Sequence, residues 1–501
     1  MGERGKSVRL TRRFMLGALL GGAAGTALGN APTTSIRPVP RAADFQKRTA
    51  RAVEDLIAQS QLTGKIGFAV ADAATGELLE VRNPLLPLPP ASVTKSVTAL
   101  YALDTLGAGH RFKTRLVAQG EIVNGRLNGD LVLVGGADPT LDTDALGDMA
   151  RDLKAAGVRE ISGAFRVDSN VLPTIWSIDP DQPDHMGYNP TISGLNLNYN
   201  RVHFEWKRST AGYDVVLDAR ARRYSPQVDI SRMRVVERVQ PVYTYTDAGG
   251  ADEWTVARQA LGQGGSRWLP VRKPELYAAE VFQTLARSHG IVLPRVKTAE
   301  GRTDGTVLVE RESPDLRMIL QDMLRYSTNL TAEVVGLTAT AARGGGPVDL
   351  RSSAEAMSEW MQGAFGLHKA RFVDHSGLGD TSRVTATEMV KALVQARGAS
   401  ILPAILKSIP MRDKDGKPIA EHPIQIRAKT GTLNFVSALS GYMTARDGRE
   451  MAFAIFSADM DQRMATKSAD GDIPPGSRTW KARARRLQLQ LIERWGTAYT
   501  A

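Results

Sequence analysis

The middle of this chain differs in sequence texture from its two ends, and that contrast restricts the folds it can adopt. Helical and strand-like patterns alternate before residue 110 and after residue 271. Between them, short β-type runs such as Gly129–Val134 and Tyr213–Leu217 are separated by turn clusters. We therefore predict one domain in two parts, 44–109 and 272–501, interrupted by one or two inserted β-rich domains in residues 110–271.

The first 31 residues have the layout of a cleavable export signal. Basic residues precede the apolar run Phe14–Leu28, and small residues follow up to Ala31. Thr11-Arg12-Arg13 before large apolar residues resembles a twin-arginine signal, and a Sec signal with adjacent arginines is the alternative. Residues 32–43, rich in proline and threonine, are predicted to be a linker. We expect a periplasmic protein with no integral membrane span once the signal is removed.

Composition removes several classes of function. The chain contains no cysteine, which excludes disulfides, thiolate metal sites and a cysteine nucleophile. Its formal charge of +11 lies partly in the export segment, and its one compact basic run, Lys481–Arg486, lacks interleaved aromatic residues. The seven histidines show no zinc-binding spacing. We predict no nucleic-acid partner, no metal and no cofactor.

Ser92 and Lys95 are the first candidate catalytic pair. A proline-dense stretch ends at Pro90, and the segment Ser92–Leu106 then has the apolar spacing of a buried helix that starts at or just before Ser92. Residues three apart share a helix face, so the Ser92 hydroxyl and the Lys95 amine can touch. A serine needs a neighbouring base to become a nucleophile, and a partly buried lysine with a lowered pKa can supply one.

Two further motifs lie far along the chain. Ser327-Thr328-Asn329 interrupts two helical runs, and Lys429-Thr430-Gly431-Thr432 lies on a predicted edge strand at the head of a hairpin. Taken alone, the first could be a helix cap and the second a strand that ends at a turn glycine. Together with Ser92 and Lys95, in this order, they form the motif set described for penicillin-binding proteins and class A β-lactamases.

These residues divide into predicted roles. Ser92 attacks a peptide carbonyl and Lys95 takes its proton, while Ser327 relays a proton to the leaving amine. Asn329 holds Lys95 and the substrate amide. Lys429 attracts a substrate carboxylate that also meets the hydroxyls of Thr430 and Thr432. The backbone N–H groups of Ser92 and Thr432 are expected to bind the oxyanion.

Other catalytic arrangements have little support in the sequence. No G-x-S-x-G motif occurs, and the adjacent residues Asp374, His375 and Ser376 cannot converge as a triad requires. We expect that segment to form a turn with a structural or site-lining role, with Ser376 and Gly377 near the cleft.

Beyond the motifs, the segments Gly129–Leu141, Gly305–Glu333, Phe372–Gly379 and Leu439–Ser457 resemble the D-alanyl-D-alanine carboxypeptidase/endopeptidases of the type-4 penicillin-binding proteins. The long separation of Lys95 and Ser327 is similar to that family, which inserts extra domains there. The chain departs from the family pattern at His375, where a small residue is more usual, and at Thr328, where aspartate is common.

The resemblance implies an α/β (α+β) chain with the β-lactamase/transpeptidase-like fold, in which an antiparallel sheet has helices on both faces beside a helical subdomain. It implies a serine D-Ala-D-Ala carboxypeptidase, with possible DD-endopeptidase action, that works through an acyl-enzyme. The partners it implies are peptidoglycan peptides ending in D-Ala-D-Ala and β-lactam antibiotics. A β-lactamase and a non-catalytic wall-binding protein are the alternatives. The sequence does not indicate an oligomeric state.

Overall fold

The computed structural model describes residues 51–299, 303–344, 349–466 and 473–500. The predicted signal (1–31), the linker (32–43) and the start of the helix expected from Asp44 lie outside the described residues. The strands are, in chain order, β1 Lys65–Asp72, β2 Leu78–Arg82, β3 Lys113–Val123, β4 Arg126–Val134, β5 Glu160–Ile161, β6 Phe165–Asp168, β7 Arg201–Ser209, β8 Gly212–Asp218, β9 Ser231–Val236, β10 Tyr243–Asp247, β11 Asp252–Ala257, β12 Gly264–Pro270, β13 Val296–Thr298, β14 Thr306–Glu312, β15 Lys407–Ser408, β16 Gln425–Leu433, β17 Val436–Thr444 and β18 Glu450–Ala458.

The α-helices are α1 Val53–Ser60, α2 Thr94–Leu106, α3 Thr143–Ala155, α4 Pro274–Ser288, α5 Leu316–Tyr326, α6 Asn329–Ala342, α7 Leu350–Phe365, α8 Ala386–Ala399, α9 Leu402–Ile405, α10 Met460–Ala465 and α11 Ser477–Ala498. No described helix combines the length and the apolar character that crossing a bilayer requires.

The first sheet is antiparallel and has the strand order β15-β16-β17-β18-β1-β2. Its central strand β18 is buried almost throughout, because alternate side chains enter two different cores. Ala454 and Phe456 point into a core shared with α2, α6 and α8, whereas Phe453 and Ile455 point into a core shared with α11. The strand thus needs helices on both faces, which gives the layered arrangement expected from the family resemblance.

The helical layer beside this sheet is built around α2. Its residues from Thr94 to Ala102 are all buried, and it packs against α5, α6 and α7. Tyr101 in α2 is fully buried and shares a hydrogen bond with the hydroxyl of Thr340 in α6, 3.1 Å away. A helix enclosed on every side holds its first turn in a fixed place.

The segment between α2 and α5 forms a second body of structure with its own core. One sheet has the order β13-β6-β4-β3-β14, with β5 paired to β4, and two three-stranded sheets have the orders β12-β7-β8 and β10-β11-β9. The predicted β-rich texture is confirmed. Helix α3, which the sequence patterns did not single out, is also present, and the Asp142 side chain caps it by accepting a hydrogen bond from Ala145 N.

Contacts beyond residue 271 bear on the predicted end of the inserted segment. Tyr277 and Phe282 of α4 and Val309 of β14 lie in the second core, and β14 pairs with β3. The division into domains stays a prediction. These contacts lead us to propose that the inserted segment continues to about residue 312, because α4 and β14 complete its core rather than that of the first sheet.

Strand β16 is almost an edge strand, as predicted. The two-residue strand β15 pairs only with Arg427 and Ala428 of β16. Within the described ranges, the outer side of Lys429–Leu433 therefore has no strand partner, which leaves room for an extended peptide to pair with it.

Candidate active site

Ser92 lies in a short 3-10 turn, Ala91–Val93, that leads into α2. The sequence placed the start of the helix at or just before Ser92; the 3-10 turn begins at Ala91, and the α-helix follows from Thr94. The carbonyl of Pro90 accepts a hydrogen bond from Val93 N at 3.1 Å, and Ala91 has a positive φ of 45°. Positive φ is uncommon for alanine, and such conformations often occur at functional sites. The turn leaves Ser92 partly exposed while its neighbours are buried.

Lys95 meets Ser92 as the i, i+3 spacing predicts. Its Nζ lies 3.1 Å from Ser92 Oγ, 2.7 Å from Asn329 Oδ1 and 2.8 Å from the carbonyl oxygen of Ser376. The Lys95 side chain is fully buried. Burial lowers the pKa of Lys95 to about 8, while the negative charges of Glu333 and Asp374 act in the opposite direction. The amine can therefore lose its proton near neutral pH.

Ser327 and Asn329 lie at the junction of α5 and α6. Ser327 ends α5 in the left-handed conformation, with φ 61° and ψ 37°, and its N–H donates to the carbonyl of Met323. Asn329 is the first residue of α6, and its Nδ2 donates to the carbonyl of Tyr188 at 2.9 Å. That second hydrogen bond fixes which end of the amide faces Lys95, and it comes from the inserted segment.

Lys429 projects from β16 toward the same junction. Its Nζ donates to Ser327 Oγ at 2.9 Å and to the carbonyl of Thr430 at 2.8 Å. Only 1% of Lys429 is exposed, and burial, together with the nearby charges of Lys95 and Lys407, lowers its pKa well below the ordinary value. The chain thus places two buried amines beside the hydroxyls of Ser92 and Ser327.

Gly431 lets β16 approach the turn that carries Ser92. A Cβ at this position would lie 2.5 Å from the carbonyl oxygen of Pro90 and 3.1 Å from the Cβ of Ala91. A side chain there would push the strand away from the nucleophile, so the glycine of the Lys-Thr-Gly motif has a direct steric reason.

A cleft of about 300 Å³ opens at this junction. Ser92, Ser327, Asn329 and Thr432 line it, whereas Lys95, Lys429 and Gly431 are not among its lining residues. Thr430 is exposed and contributes its carbonyl to Lys429, and it is not among the residues that line this cleft. Gly377, which was expected near the cleft, also lines it. The lining residues that the sequence did not indicate are Gln182, Tyr188, Leu378, Leu433, Asn434, Arg463, Ile473 and Lys481.

The segment Asp374-His375-Ser376 forms the floor behind Lys95. The fully buried His375 ring places Nε2 2.8 Å from Ser353 Oγ, and burial lowers its pKa to about 3. Ser376 contributes its carbonyl to Lys95, and Gly377 lines the cleft. The expected site-lining role fits these contacts, and neither His375 nor Asp374 forms a triad with Ser92.

Glu333 is a residue that the sequence patterns missed. It is fully buried in α6, one turn after Asn329, and its carboxylate accepts hydrogen bonds from the main-chain N–H groups of His375 and Ser376. The i, i+4 spacing from Asn329 was the available signal, because it places both side chains on one face of α6. A lone glutamate at that spacing is more often a solvated side chain, so burial was not apparent.

Known proteins share this fold. The D-alanyl-D-alanine carboxypeptidase of Actinomadura sp. is 29% identical over 468 residues, which cover 86% of this chain and 84% of that protein. The carboxypeptidase DacB of Haemophilus influenzae is 24% identical over 431 residues, 81% of this chain and 87% of its own length. The crystal structure of penicillin binding protein 4 from H. influenzae matches with a TM-score of 0.70 at 21% identity, covering 88% of this chain and 99% of that one.

The fold is therefore that of the penicillin-binding proteins, with a β-lactamase/transpeptidase-like domain. A model of the D-Ala-D-Ala carboxypeptidase 3 (S13) family matches residues 49–472, so the chain belongs to that family. It is an enzyme, a serine-type D-Ala-D-Ala carboxypeptidase, as the resemblance in the sequence implied.

Proposed function

We propose that Ser92 is the nucleophile of this carboxypeptidase and Lys95 its general base. Ser92 Oγ forms a bond to the carbonyl carbon of the penultimate D-alanine while its proton passes to Lys95 Nζ. The observation that carries this proposal is the 3.1 Å contact between Lys95 Nζ and Ser92 Oγ inside a buried network. The main-chain N–H groups of Ser92 and Thr432 are the proposed oxyanion donors.

The second half of the reaction uses Ser327 and Lys429. The C–N bond to the terminal D-alanine breaks, and the leaving nitrogen takes a proton delivered through Ser327, whose hydroxyl already contacts Lys429 Nζ. Water then attacks the Ser92 ester, releases the shortened peptide and restores the serine hydroxyl. Lys429 and Thr432 are the proposed partners of the terminal carboxylate, and the unpaired side of β16 would align the peptide.

A fluorescent penicillin and the variant Ser92→Ala test this assignment. We expect the wild-type protein to gain the mass of one acyl group on Ser92, and Ser92→Ala to gain none. The control is Ser96→Ala, which removes a buried hydroxyl one turn along the same helix that has no hydrogen-bond partner among the described residues.

Retained labelling of Ser92→Ala would place the nucleophile elsewhere. Persistence of the wild-type adduct is the outcome expected of a DD-peptidase, whereas rapid loss with ring-opened product would favour a β-lactamase. In support of β-lactam binding, penicillin binding protein 4 of H. influenzae is known as a complex with a β-lactam.

We further propose that the substrate is peptidoglycan stem peptide and that the enzyme acts in the periplasm after removal of residues 1–31. Supporting this, the sequence relatives are D-alanyl-D-alanine carboxypeptidases of bacteria. Digestion of purified muropeptides, with products identified by mass, separates carboxypeptidase from endopeptidase action. Sequencing the N-terminus of the protein isolated from the periplasm tests the cleavage site.

A further inference from the structure

We propose that Glu333 is a positioning residue for proton transfer from Ser92 to Lys95. In this proposal it holds the segment that carries the Ser376 carbonyl against Lys95, and its negative charge favours the protonated form of the buried amine. The inference rests on the proposed function, since it concerns acylation of Ser92, but it assigns a role to a residue outside the three motifs.

Hydrogen bonds connect Glu333 to the segment that contacts Lys95. Glu333 Oε1 accepts from Ser376 N at 2.9 Å, and Oε2 accepts from His375 N at 2.8 Å. The carbonyl of the same Ser376 accepts from Lys95 Nζ at 2.8 Å. A single residue therefore connects the carboxylate to the amine, and two parallel hydrogen bonds leave that residue little freedom to turn.

Burial strengthens the electrostatic interaction between Lys95 and Glu333. Lys95 and Glu333 are both fully buried, where opposite charges interact much more strongly than in water. The negative charge of Glu333 favours the ammonium form of Lys95 and so raises the pKa that burial lowers. Burial and the charge of Asp374 raise the pKa of Glu333 itself to about 8, against the lysine and the two main-chain donors. Both of its oxygens accept main-chain N–H bonds, and this geometry favours the ionised form. The pair therefore titrates as a unit.

The other charged or titratable groups near Lys95 are Asp374, Lys429 and His375. Asp374 also acts on Lys95 electrostatically, but its oxygens accept from the N–H groups of Gly377 and Gly379. Lys429, from β16, repels Lys95. His375 stays neutral because burial lowers its pKa, and α7 meets α2 through the uncharged Met357. Asp374 holds the Ser376–Gly377 peptide unit through Gly377 N, and Glu333 holds the two preceding main-chain N–H groups, so the Ser376 carbonyl is fixed from both sides.

The test is the pH profile of acylation of the full chain by a chromogenic β-lactam, for the wild type and for Glu333→Gln. Without the charge, the ammonium of Lys95 is less stable, so the midpoint of the acid limb should fall by about one pH unit. Without one of the two hydrogen bonds, the plateau rate should fall roughly tenfold, a fraction of what a positioned base contributes.

Glu333→Asp separates the two effects. It keeps the charge but is one methylene too short to reach both N–H groups, so the midpoint should stay in place while the plateau falls. The matched control is Glu280→Gln. Glu280 likewise accepts from two consecutive main-chain N–H groups, those of Asp229 and Ile230, but it lies in the inserted segment. This control should leave both midpoint and plateau unchanged.

A Glu333→Gln profile with the wild-type midpoint would overturn the inference, and so would equal effects from Glu280→Gln. Loss of the folded state in both Glu333 variants would assign the residue to stability alone, which also overturns it. Failure of the wild type to acylate on Ser92 would instead refute the proposed function, and mass analysis of the wild-type adduct distinguishes the two failures.

Discussion

Lys95 shows how a single side chain can be made reactive by what surrounds it. A lysine in water stays protonated at neutral pH and cannot take a proton from serine. Full burial lowers its pKa, and three oxygen partners hold the amine in one position. Burial thus costs solvation free energy, but it makes the amine a base at neutral pH and fixes its position beside Ser92.

His375 illustrates a cost of this packing at the residue scale. The ring is neutral when folded because burial lowers its pKa to about 3, whereas it protonates near its ordinary pKa of 6.5 when unfolded. Below that value the unfolded state binds more protons, so folding stability is lost as pH falls from 6.5 toward 3. Between pH 7 and pH 5, protonation of this one group in the unfolded state should lower the free energy of unfolding by about 2 kcal/mol.

His375→Gln should therefore lose less stability than the wild type between pH 7 and pH 5, as measured by urea unfolding at both values. Exposed His368 provides the control, because His368→Gln leaves the buried ring in place. If wild type and His375→Gln show the same pH dependence, the acid sensitivity arises from other groups.

At the scale of elements, the site depends on close approaches of backbone to backbone. Gly377 has a positive φ of 75°, and a Cβ there would lie 1.9 Å from the carbonyl oxygen of Ala91. The loop can therefore pass beneath the Ser92 turn only without a side chain. Gly377→Ala should lower the free energy of unfolding by about 1–3 kcal/mol and slow acylation of Ser92.

Thermal unfolding and penicillin labelling measure these two effects. Gly363→Ala is the control, since Gly363 lies in α7 with open space around its Cβ position and should tolerate or favour alanine. Normal labelling and stability of Gly377→Ala would show that the loop can move aside.

Local patterns predicted the elements of the site better than its environment. The apolar stripe of α2 and the motif at the α5–α6 junction both have short-range signals. The carbonyls of Ser376 and Tyr188 have none, because a main-chain oxygen is the same at every residue. Glu333 was missed for a related reason: its burial depends on the segment 374–379, which folds over it from elsewhere in the chain.

At the scale of the whole molecule, the inserted segment is tied to the first domain at its two crossing points. Ser313 N donates to the carbonyl of Phe112, and Phe112 N donates to Ser313 Oγ. Leu316 N donates to the carbonyl of His110. The outgoing and returning chains are thus held side by side, which supports placing the end of the insert near residue 312.

A second connection between the inserted segment and the first domain, the hydrogen bond from Asn329 to Tyr188, depends on Arg272. Its buried guanidinium donates to the carbonyls of Trp176, Asp184 and Asn189, so it anchors the loop that brings Tyr188 to Asn329. Arg272→Ala should lower kcat/KM on a D-Ala-D-Ala peptide roughly tenfold, since loss of a positioning contact misplaces a catalytic group.

Arg220→Ala is the comparison for this effect. Arg220 lies in the same inserted segment, but its ion-pair partners, Asp218 and Glu205, do not belong to the loop that carries Tyr188. Steady-state kinetics on both variants, with thermal unfolding as a check, would contradict the anchoring role if their losses of kcat/KM were equal.

Tyr188 offers Asn329 its peptide oxygen, not its ring. Evolution can therefore exchange the side chain at position 188 without removing the acceptor, while lengthening or shortening the loop by one residue would carry that oxygen out of reach. Among natural variants of this enzyme, the length of the loop between Trp176 and Asn189 should thus be more strictly conserved than the identity of residue 188.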